Sequence, residues 1–542
     1  PRIQTYIAVR VGGKNDPAET TGLAHYFEHL MFKGTTNFGT QNYEIEKPLL
    51  DQIEEQFEVY RKTTDSLERK AIYAKIDSIS YEASKYAIPN EYDKLMAAIG
   101  ANGTNAYTSF DVTCYTEDIP SNQIDNWAKI QAERFENCVI RGFHTELETV
   151  YEEKNMSLTR DPRKVYEAVL SSLFPHHPYG TQTVLGTQED LKNPSITNIK
   201  EYYKKWYVPN NMAICLSGDF DPDQMIATDL PKLDLPKETP ITAPVVREVI
   251  GPDAESVALA WRFPGAADKD VETLQVVSQI LYNGQAGLFD LDLTQQQKTL
   301  SSYCYPLTMS DYSALLMQGR PKQGQTLDEV KDLMLGELKK LRDGDFDEKM
   351  LEANINNFKL YQMQQLENND ARADMFVQSF VNGSDWADEV TALNRMSKLT
   401  KNDIVAFANK YLKDDNYAVI YKRQGKDPNE KKMPKPEITP IVMNRDTAST
   451  FLKEIQASVV TPIEPVFLDY SKDLTQLKAK SDIPVLYKQN TTNDIFQLIY
   501  LFDMGNNNDK ALGTAAQYLE YLGTADMTPE EVKSEFYRLA CS

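Results

Sequence analysis

Residues 25–29 contain two histidines and a glutamate whose spacing could support metal chemistry. The chain has only five histidines in 542 residues, and His25 and His29 stand four positions apart with Glu28 between them. On a helix, positions i and i+4 share one face, so both imidazoles can reach a single metal ion. The carboxylate of Glu28 lies beside that face, where it can take a proton from a water molecule. The pattern His-x-x-Glu-His therefore predicts a zinc site with Glu28 as general base.

A third ligand is needed, because catalytic zinc typically takes three protein ligands and leaves a fourth position for water. Thr145 and Glu148 have the spacing of a capping box, which predicts a helix from Thr145 to about residue 158. That helix offers four carboxylates, at Glu146, Glu148, Glu152 and Glu153. Glu146 and Glu153 are seven residues apart and share a face, but the residues alone leave the choice of ligand open.

The elements that must position these side chains form a first predicted module, residues 1–225. A strand over 3–11 ends at Gly12 and leads into the histidine helix, for which Thr20 and Thr21 offer N-caps. Apolar residues at helical spacing among many charges predict a helical hairpin inserted at 43–87. We interpret this hairpin as a structural insertion.

The rest of the chain divides into three further predicted segments. Residues 245–425 form a second, non-catalytic module, and a Pro- and Lys-rich run opens a linker over 426–480. Residues 481–542 begin a degenerate third module. There, residues 495–505 echo the strand at 3–12, and Gln517 and Tyr521 stand where the first module has its two histidines. The chain is therefore expected to be part of a longer protein whose third module is truncated.

With these residues, the chain resembles the pitrilysin/insulysin family of zinc peptidases, which includes the mitochondrial processing peptidases. In that family, His-x-x-Glu-His is followed downstream by a glutamate, six intervening residues and the ligand glutamate, and residues 146–153 fit this pattern. The resemblance implies that Glu153 is the third zinc ligand, with Glu152 as the alternative, and that Glu146 supports the catalytic site. It also implies that Asn105 and Ala106 belong to a substrate-binding strand, although an Asn in a Gly-rich turn is commonly structural.

The same resemblance implies a fold and a function. The expected fold is α+β, with repeated modules of mostly antiparallel sheet layered with helices in a clamshell. The expected function is a zinc-dependent endopeptidase that hydrolyses short or unfolded peptides, assisted by a C-terminal half or partner chain that closes the clamshell. The alternatives are a non-catalytic structural or partner subunit of the same fold, and a metal-dependent hydrolase of non-peptide substrates.

Composition excludes other classes of protein. The net charge of −22 argues against a nucleic-acid partner, and no apolar run is long enough to span a membrane. Five scattered cysteines without a Cys-x-x-Cys pair predict neither a disulfide framework nor a cysteine-ligated zinc. The remaining histidines, His144, His176 and His177, are expected to be structural or surface residues. A periplasmic or cytoplasmic bacterial location is expected, with no targeting segment in the chain.

Overall fold

The computed structural model describes residues 1–220, 235–428, 431–432, 434 and 437–541. The predicted module boundary at residue 225 and part of the Pro- and Lys-rich run, including residues 435–436, lie outside the described residues. The described chain is built around two sheets, and the division into modules at the stated boundaries stays a prediction.

The first sheet has four antiparallel strands in the order β2-β3-β1-β4. The strands are β1 (Arg2–Val9), β2 (Asn102–Thr108), β3 (Thr113–Pro120) and β4 (Met212–Gly218). β1 lies at the centre of the sheet and is almost entirely buried, which matches its run of apolar and β-branched residues. β2 forms an edge of this sheet, so one side of its backbone has no neighbouring strand among the described residues.

Ten α-helices lie within residues 1–220, the described part of the chain that holds the first sheet. They are α1 (Leu23–Leu30), α2 (Tyr43–Lys62), α3 (Ser66–Ser84), α4 (Glu91–Ala98), α5 (Ile124–Glu136), α6 (Phe143–Leu158), α7 (Asp161–Leu173), α8 (Pro178–Thr181), α9 (Gln188–Lys192) and α10 (Ile196–Trp206). Two predicted helix starts are wrong. α6 starts two residues before Thr145, after Gly142 at φ 64°, and α1 is capped by Gly22 at φ 89° rather than by a threonine. In both cases a glycine takes the left-handed conformation that other residues avoid.

α2 and α3 occupy the segment in which the sequence predicts a helical hairpin. Asp65 caps α3 by accepting hydrogen bonds from the N–H groups of Leu67 and Glu68. The hairpin packs on the core through Ile53, Phe57 and Ile76, and the Phe57 ring lies 4.9 Å from the Phe143 ring at the start of α6. The hairpin therefore supports the helix that carries Glu146 and Glu153.

The second sheet has five strands in the order β5-β9-β6-β8-β7, with β5 and β9 parallel and the other pairs antiparallel. The strands are β5 (Val245–Gly251), β6 (Ser256–Pro264), β7 (Ser301–Thr308), β8 (Tyr312–Arg320) and β9 (Tyr417–Gln424). Its helices are α11 (Asp270–Leu281), α12 (Leu327–Asp343), α13 (Lys349–Leu366), α14 (Asn369–Asn382), α15 (Trp386–Met396) and α16 (Lys401–Tyr411). Two helices pack on the sheet that is more distant in sequence. α7 packs on the second sheet, and α14 packs on the first.

The segment predicted as a linker is partly docked on the first sheet and its helices. Residues 437–461, which we call the strap, include α17 (Thr450–Ala457). The strap is held by hydrogen bonds from Thr439 to Asp77, from Asn444 to three carbonyl groups at residues 84–87, and from the N–H of Ser449 to Glu91. Leu452 and Ile455 of α17 are buried against α4. A proline-rich composition did not reveal these contacts, because they are made with residues more than 300 positions away.

The last segment contains α18 (Tyr470–Asp473), the β10 (Thr475–Lys478) and β11 (Pro484–Tyr487) hairpin, α19 (Ala511–Tyr518) and α20 (Pro529–Arg538). The expected strand at 495–504 does not form in the described structure. Its apolar side chains are exposed, with Leu501 94% exposed. A strand needs a neighbour to take its backbone hydrogen bonds, and a run of apolar residues alone does not supply one.

Candidate metal centre

α1 presents the histidine motif from a buried position. The carboxylate of Asp16 accepts hydrogen bonds from the N–H groups of Gly22 (2.7 Å) and Ala24 (3.0 Å), which fixes the first turn of α1. Tyr26, Phe27 and Leu30 pack into the core. The opposite face of α1 therefore directs His25 and His29 towards α6.

α6 supplies the carboxylates. The Tyr26 hydroxyl donates to the carbonyl of Phe143 at 2.6 Å, which ties the first turn of α6 to α1. Oε1 of Glu146 accepts from Nδ1 of His29 at 2.8 Å, and its Oε2 is bonded by the ammonium of Lys33. Two turns further along the helix, Glu153 reaches both histidines.

Three ligand atoms converge on one point. Nε2 of His25 lies 3.3 Å from Nε2 of His29 and 3.3 Å from Oε2 of Glu153, and Nε2 of His29 lies 3.6 Å from the same oxygen. Atoms bound tetrahedrally to zinc at about 2.0–2.1 Å are separated from one another by about 3.3–3.4 Å. Among the described residues, His25, His29 and Glu153 are the group whose ligand atoms meet in this way, and the set includes Glu153 rather than Glu152.

The hydrogen bond to Glu146 makes the donor set suitable for a cation. A carboxylate ion only accepts hydrogen bonds, so Nδ1 of His29 carries the proton and Nε2 keeps its lone pair. That lone pair lies 3.3 Å from Nε2 of His25 and 3.6 Å from Oε2 of Glu153. Acceptor atoms at these distances can share a proton or hold a cation between them. The residues present therefore fit a zinc ion.

The charged groups around this point favour the ionised carboxylates. Hydrogen bonding with His25 lowers the pKa of Glu153, although burial opposes it. Burial would raise the pKa of Glu146, but the bonds from His29 and Lys33 outweigh it and lower that pKa. For His29, burial opposes protonation, yet the hydrogen bond to Glu146 and the nearby carboxylates raise its pKa. Both glutamates are accordingly anions at neutral pH.

Glu28 lies beside the three converging ligand atoms, on the side that faces an open cleft. It is 8% exposed, and its Oε2 accepts a hydrogen bond of 2.6 Å from the hydroxyl of Thr108 at the end of β2. The cleft has a volume of about 640 Å³ and is lined by His25, Glu28, His29, residues 105–110, Glu153, Arg163, Tyr166, Val184 and Leu185. Asn105 and Ala106, on the edge strand, thus line the same cleft as the candidate ligands.

Other contributors to the site were not predicted from sequence. Thr108 holds Glu28, Lys33 holds Glu146, and Arg163 and Tyr166 of α7 line the cleft. Thr108 lies in the segment that carries the family resemblance, but Lys33, Arg163 and Tyr166 belong to no motif. Their roles depend on how α1, α6 and α7 pack.

The remaining histidines lie elsewhere. Nε2 of His144 bonds Asp77 at 3.0 Å, and Nδ1 of His176 bonds Glu238 at 3.1 Å. His177 packs edge-on against Tyr179 and Tyr312. The five cysteines are all free thiols. No described helix is long and apolar enough to cross a membrane.

A histidine pair and a glutamate on two packed helices, beside the edge of an antiparallel sheet, form a candidate metal site. Residues 3–50 match the family described as Insulinase (Peptidase family M16), and residues 195–358 match the Peptidase M16 inactive domain. Both matches are to models of peptidase family M16, so this is the family that the chain is similar to. Its mixed helices and antiparallel sheets are those of the pitrilysin-like clamshell proteins, so the predicted fold class is confirmed.

Individual relatives are distant. Zinc protease PqqE from Helicobacter pylori is 22% identical over 439 residues, which cover 77% of this chain and 87% of that protein. The crystal structure of a protease from Helicobacter pylori has a TM-score of 0.63 at 21% identity and covers 78% of this chain and 94% of its own. Pitrilysin has a TM-score of 0.54 at 14% identity, covering 88% of this chain but 48% of pitrilysin. At these identities the structural likeness establishes the fold.

Proposed function

We propose that this chain is a zinc-dependent endopeptidase whose zinc is held by His25, His29 and Glu153. The observation that carries the proposal is the convergence of three ligand atoms at 3.3–3.6 Å, in a set that includes Glu153. Glu146 would orient His29 through its 2.8 Å hydrogen bond and keep its Nε2 available. The naming of relatives as zinc proteases supports the same cofactor.

Bound zinc would supply Lewis-acid chemistry, lowering the pKa of water and polarising a carbonyl group. The chain's own contribution to proton transfer is Glu28. Its Oε2 is occupied by the Thr108 hydroxyl, which leaves Oε1 to accept a proton from the attacking water and to deliver it to the leaving amine. Thr108 thereby fixes the orientation of the carboxylate from the strand that lines the cleft.

Substrate binding is proposed at the edge of the first sheet. Since one side of β2 pairs with no described strand and Asn105 and Ala106 line the cleft, an extended peptide could add to this edge as a further strand. Backbone pairing of this kind requires a peptide without its own secondary structure. Short or unfolded peptides are therefore the proposed substrates.

We also propose that a C-terminal half or a partner chain closes over the cleft. The match to pitrilysin covers about half of that protein, with 48% of its length aligned. The cleft as described lies open beside β2, and a desolvated substrate needs a second wall. The expected peptide substrates and the closing half remain proposals for this chain.

The second candidate is a non-catalytic structural or partner subunit of the same fold. It is favoured for the last segment, where Gln517 and Tyr521 replace the histidines, and by the match of residues 195–358 to an inactive domain. The intact set of His25, His29, Glu28 and Glu153 weighs against it for the first sheet and its helices.

The deciding experiment combines zinc content with cleavage of a mixed peptide library. Glu28→Gln should retain about one zinc per chain and lose on the order of 10²–10⁴ in hydrolysis rate, because the amide cannot accept a proton. Glu153→Gln should lose most of the zinc, whereas Glu152→Gln is the matched control and should keep both zinc and rate. Unchanged turnover in Glu28→Gln would remove Glu28 from the mechanism. Bound zinc without any peptidase activity, even when the closing half or partner chain is supplied, would favour the subunit.

A further inference from the structure

A second cavity lies at the base of the helical hairpin, on the far side of α1 from the cleft strand. It has a volume of about 290 Å³ and is enclosed by α2, α3, residues 138–145 and the strap. Its walls are mainly apolar, with Leu50 and Ile53 from α2, Ala83 from α3, Phe143 from α6 and Met443 from the strap. An apolar cavity of about 150 Å³ holds one benzene molecule, so this volume suits a ligand of about two fused rings.

The charged residues that line this cavity already have partners. Glu46 is bonded by Arg141 at 2.6 and 2.8 Å, Lys47 pairs with Asp51 at 2.6 Å, Lys200 pairs with Glu54, and Lys33 pairs with Glu146. A charged ligand would have to break one of these ion pairs or be buried without a counter-charge. Both events are strongly unfavourable in free energy. The lining therefore favours a neutral ligand.

Two polar atoms of the lining have no partner among the described residues: Nδ1 of His144 and Oγ of Ser80. His144 is 2% exposed, and its Nε2 lies 3.0 Å from the carboxylate of Asp77, which can only accept. Nε2 therefore carries the proton, and Nδ1 offers a buried lone pair. Burial also lowers the pKa of His144, which keeps the ring neutral. A buried acceptor such as Nδ1 of His144 destabilises the protein when no donor forms a hydrogen bond with it.

We propose that the hairpin-base cavity is a binding site for a neutral aromatic alcohol of about two rings, whose hydroxyl donates to Nδ1 of His144. The apolar walls would take the rings, and the strap residues Ile441 and Met443 would cover them. His144 belongs to the first turn of α6, two residues before Glu146, so an occupant would contact the helix that carries the carboxylates of the metal centre. This site does not depend on the proposed peptidase activity.

The test uses the full chain titrated with 2-naphthol, whose intrinsic fluorescence reports binding, and with naphthalene as the ligand that lacks the hydroxyl. We expect saturable 1:1 binding of 2-naphthol, with naphthalene bound about fivefold more weakly because one hydrogen bond is lost. His144→Phe should reduce the affinity for 2-naphthol by a similar factor and leave that for naphthalene unchanged.

Two further variants serve as controls. Val59→Ala changes an exposed side chain of α2 that does not line the cavity, so 2-naphthol binding should be unchanged. Ala83→Leu fills the cavity and should abolish binding, with thermal unfolding used to verify that it folds. Absence of saturable binding, equal affinities for the two ligands, or equal losses in His144→Phe and Val59→Ala would overturn the proposal. Because the ligand pair is measured on the unmodified chain, the result stands even if a variant fails to fold.

Discussion

Replacing Glu146 with Gln tests how much the support of His29 contributes to zinc binding. The carboxylate of Glu146 accepts from Nδ1 of His29 at 2.8 Å and is bonded on its other oxygen by Lys33. An amide has nearly the same size and can still accept one hydrogen bond. The substitution therefore removes the negative charge while keeping the packing of α1 against α6.

The expected loss follows from these contacts. A hydrogen bond to a charged group contributes about 1.5–3 kcal/mol, compared with about 0.5–1.5 kcal/mol between neutral groups. Zinc affinity should therefore fall about tenfold from the weaker bond. The positive charge of Lys33, left without its carboxylate, would add to the loss. The total should stay within about 10- to 100-fold, or about 1.4–2.7 kcal/mol, as for other residues that hold a metal-binding histidine.

The assay is competition for zinc with a chromophoric chelator, at constant ionic strength. Glu148→Gln is the matched control, since residue 148 is about 200° around α6 from residue 146 and therefore on the opposite face. Equal affinity of Glu146→Gln and the unmodified chain would refute the supporting role. A complete loss of zinc in a folded Glu146→Gln protein would instead show that Glu146 is itself a ligand.

Three further outcomes are expected. His29→Ala should lose most of the bound zinc, because two remaining ligands hold it poorly, while His176→Ala should keep it by elemental analysis. Phe57→Ala should lower the free energy of unfolding by about 3–5 kcal/mol in urea titrations, since the ring is fully buried in the core. The control is Val59→Ala. Because Val59 is 46% exposed, this substitution should change the free energy of unfolding by less than about 0.5 kcal/mol. Burial opposes the ionised form of Glu238, but hydrogen bonds from the N–H groups of His176 and His177 prevail and lower its pKa. Its ionised form therefore stabilises the fold above the unfolded value of about 4.3, and this contribution is lost as pH falls through the folded pKa. The free energy of unfolding should accordingly fall less between pH 6 and pH 3 in Glu238→Gln than in the unmodified chain; equal slopes would contradict this assignment.

The sequence predicted best what short-range patterns control. The spacing of His25 and His29 needs only helical geometry to place both on one face, and the structure brings them together with Glu153. Helix starts were less predictable, because Gly22 and Gly142 begin α1 and α6 in a left-handed conformation although hydroxyl caps lie nearby. Which glycine takes this role depends on the approach of the preceding chain.

Contacts between distant segments could not be predicted at all. The bond from Thr108 to Glu28 joins a strand to a helix 80 residues earlier, and α7 and α14 each cover the other sheet. Neither appears in a periodic pattern, since each helix only shows that it has an apolar face. The segment 495–504 shows the converse, because its pattern is that of a strand and yet no strand of the described structure pairs with it.

The strap also has a consequence for synthesis on the ribosome. It covers α4, which ends at Ala98, but α17 ends only at Ala457, about 360 residues later. At a translation rate of about 5–20 residues per second, Leu452 and Ile455 are synthesised roughly 20 to 70 s after α4. The apolar face of α4 lacks these two contacts during that time. Throughout that interval the nascent chain exposes an apolar surface beside Tyr92 and Trp127. Exposed apolar surface of this kind is what chaperones bind. The fold around the first sheet is thus completed only after the strap has been translated, and the strap follows the entire second sheet in the chain.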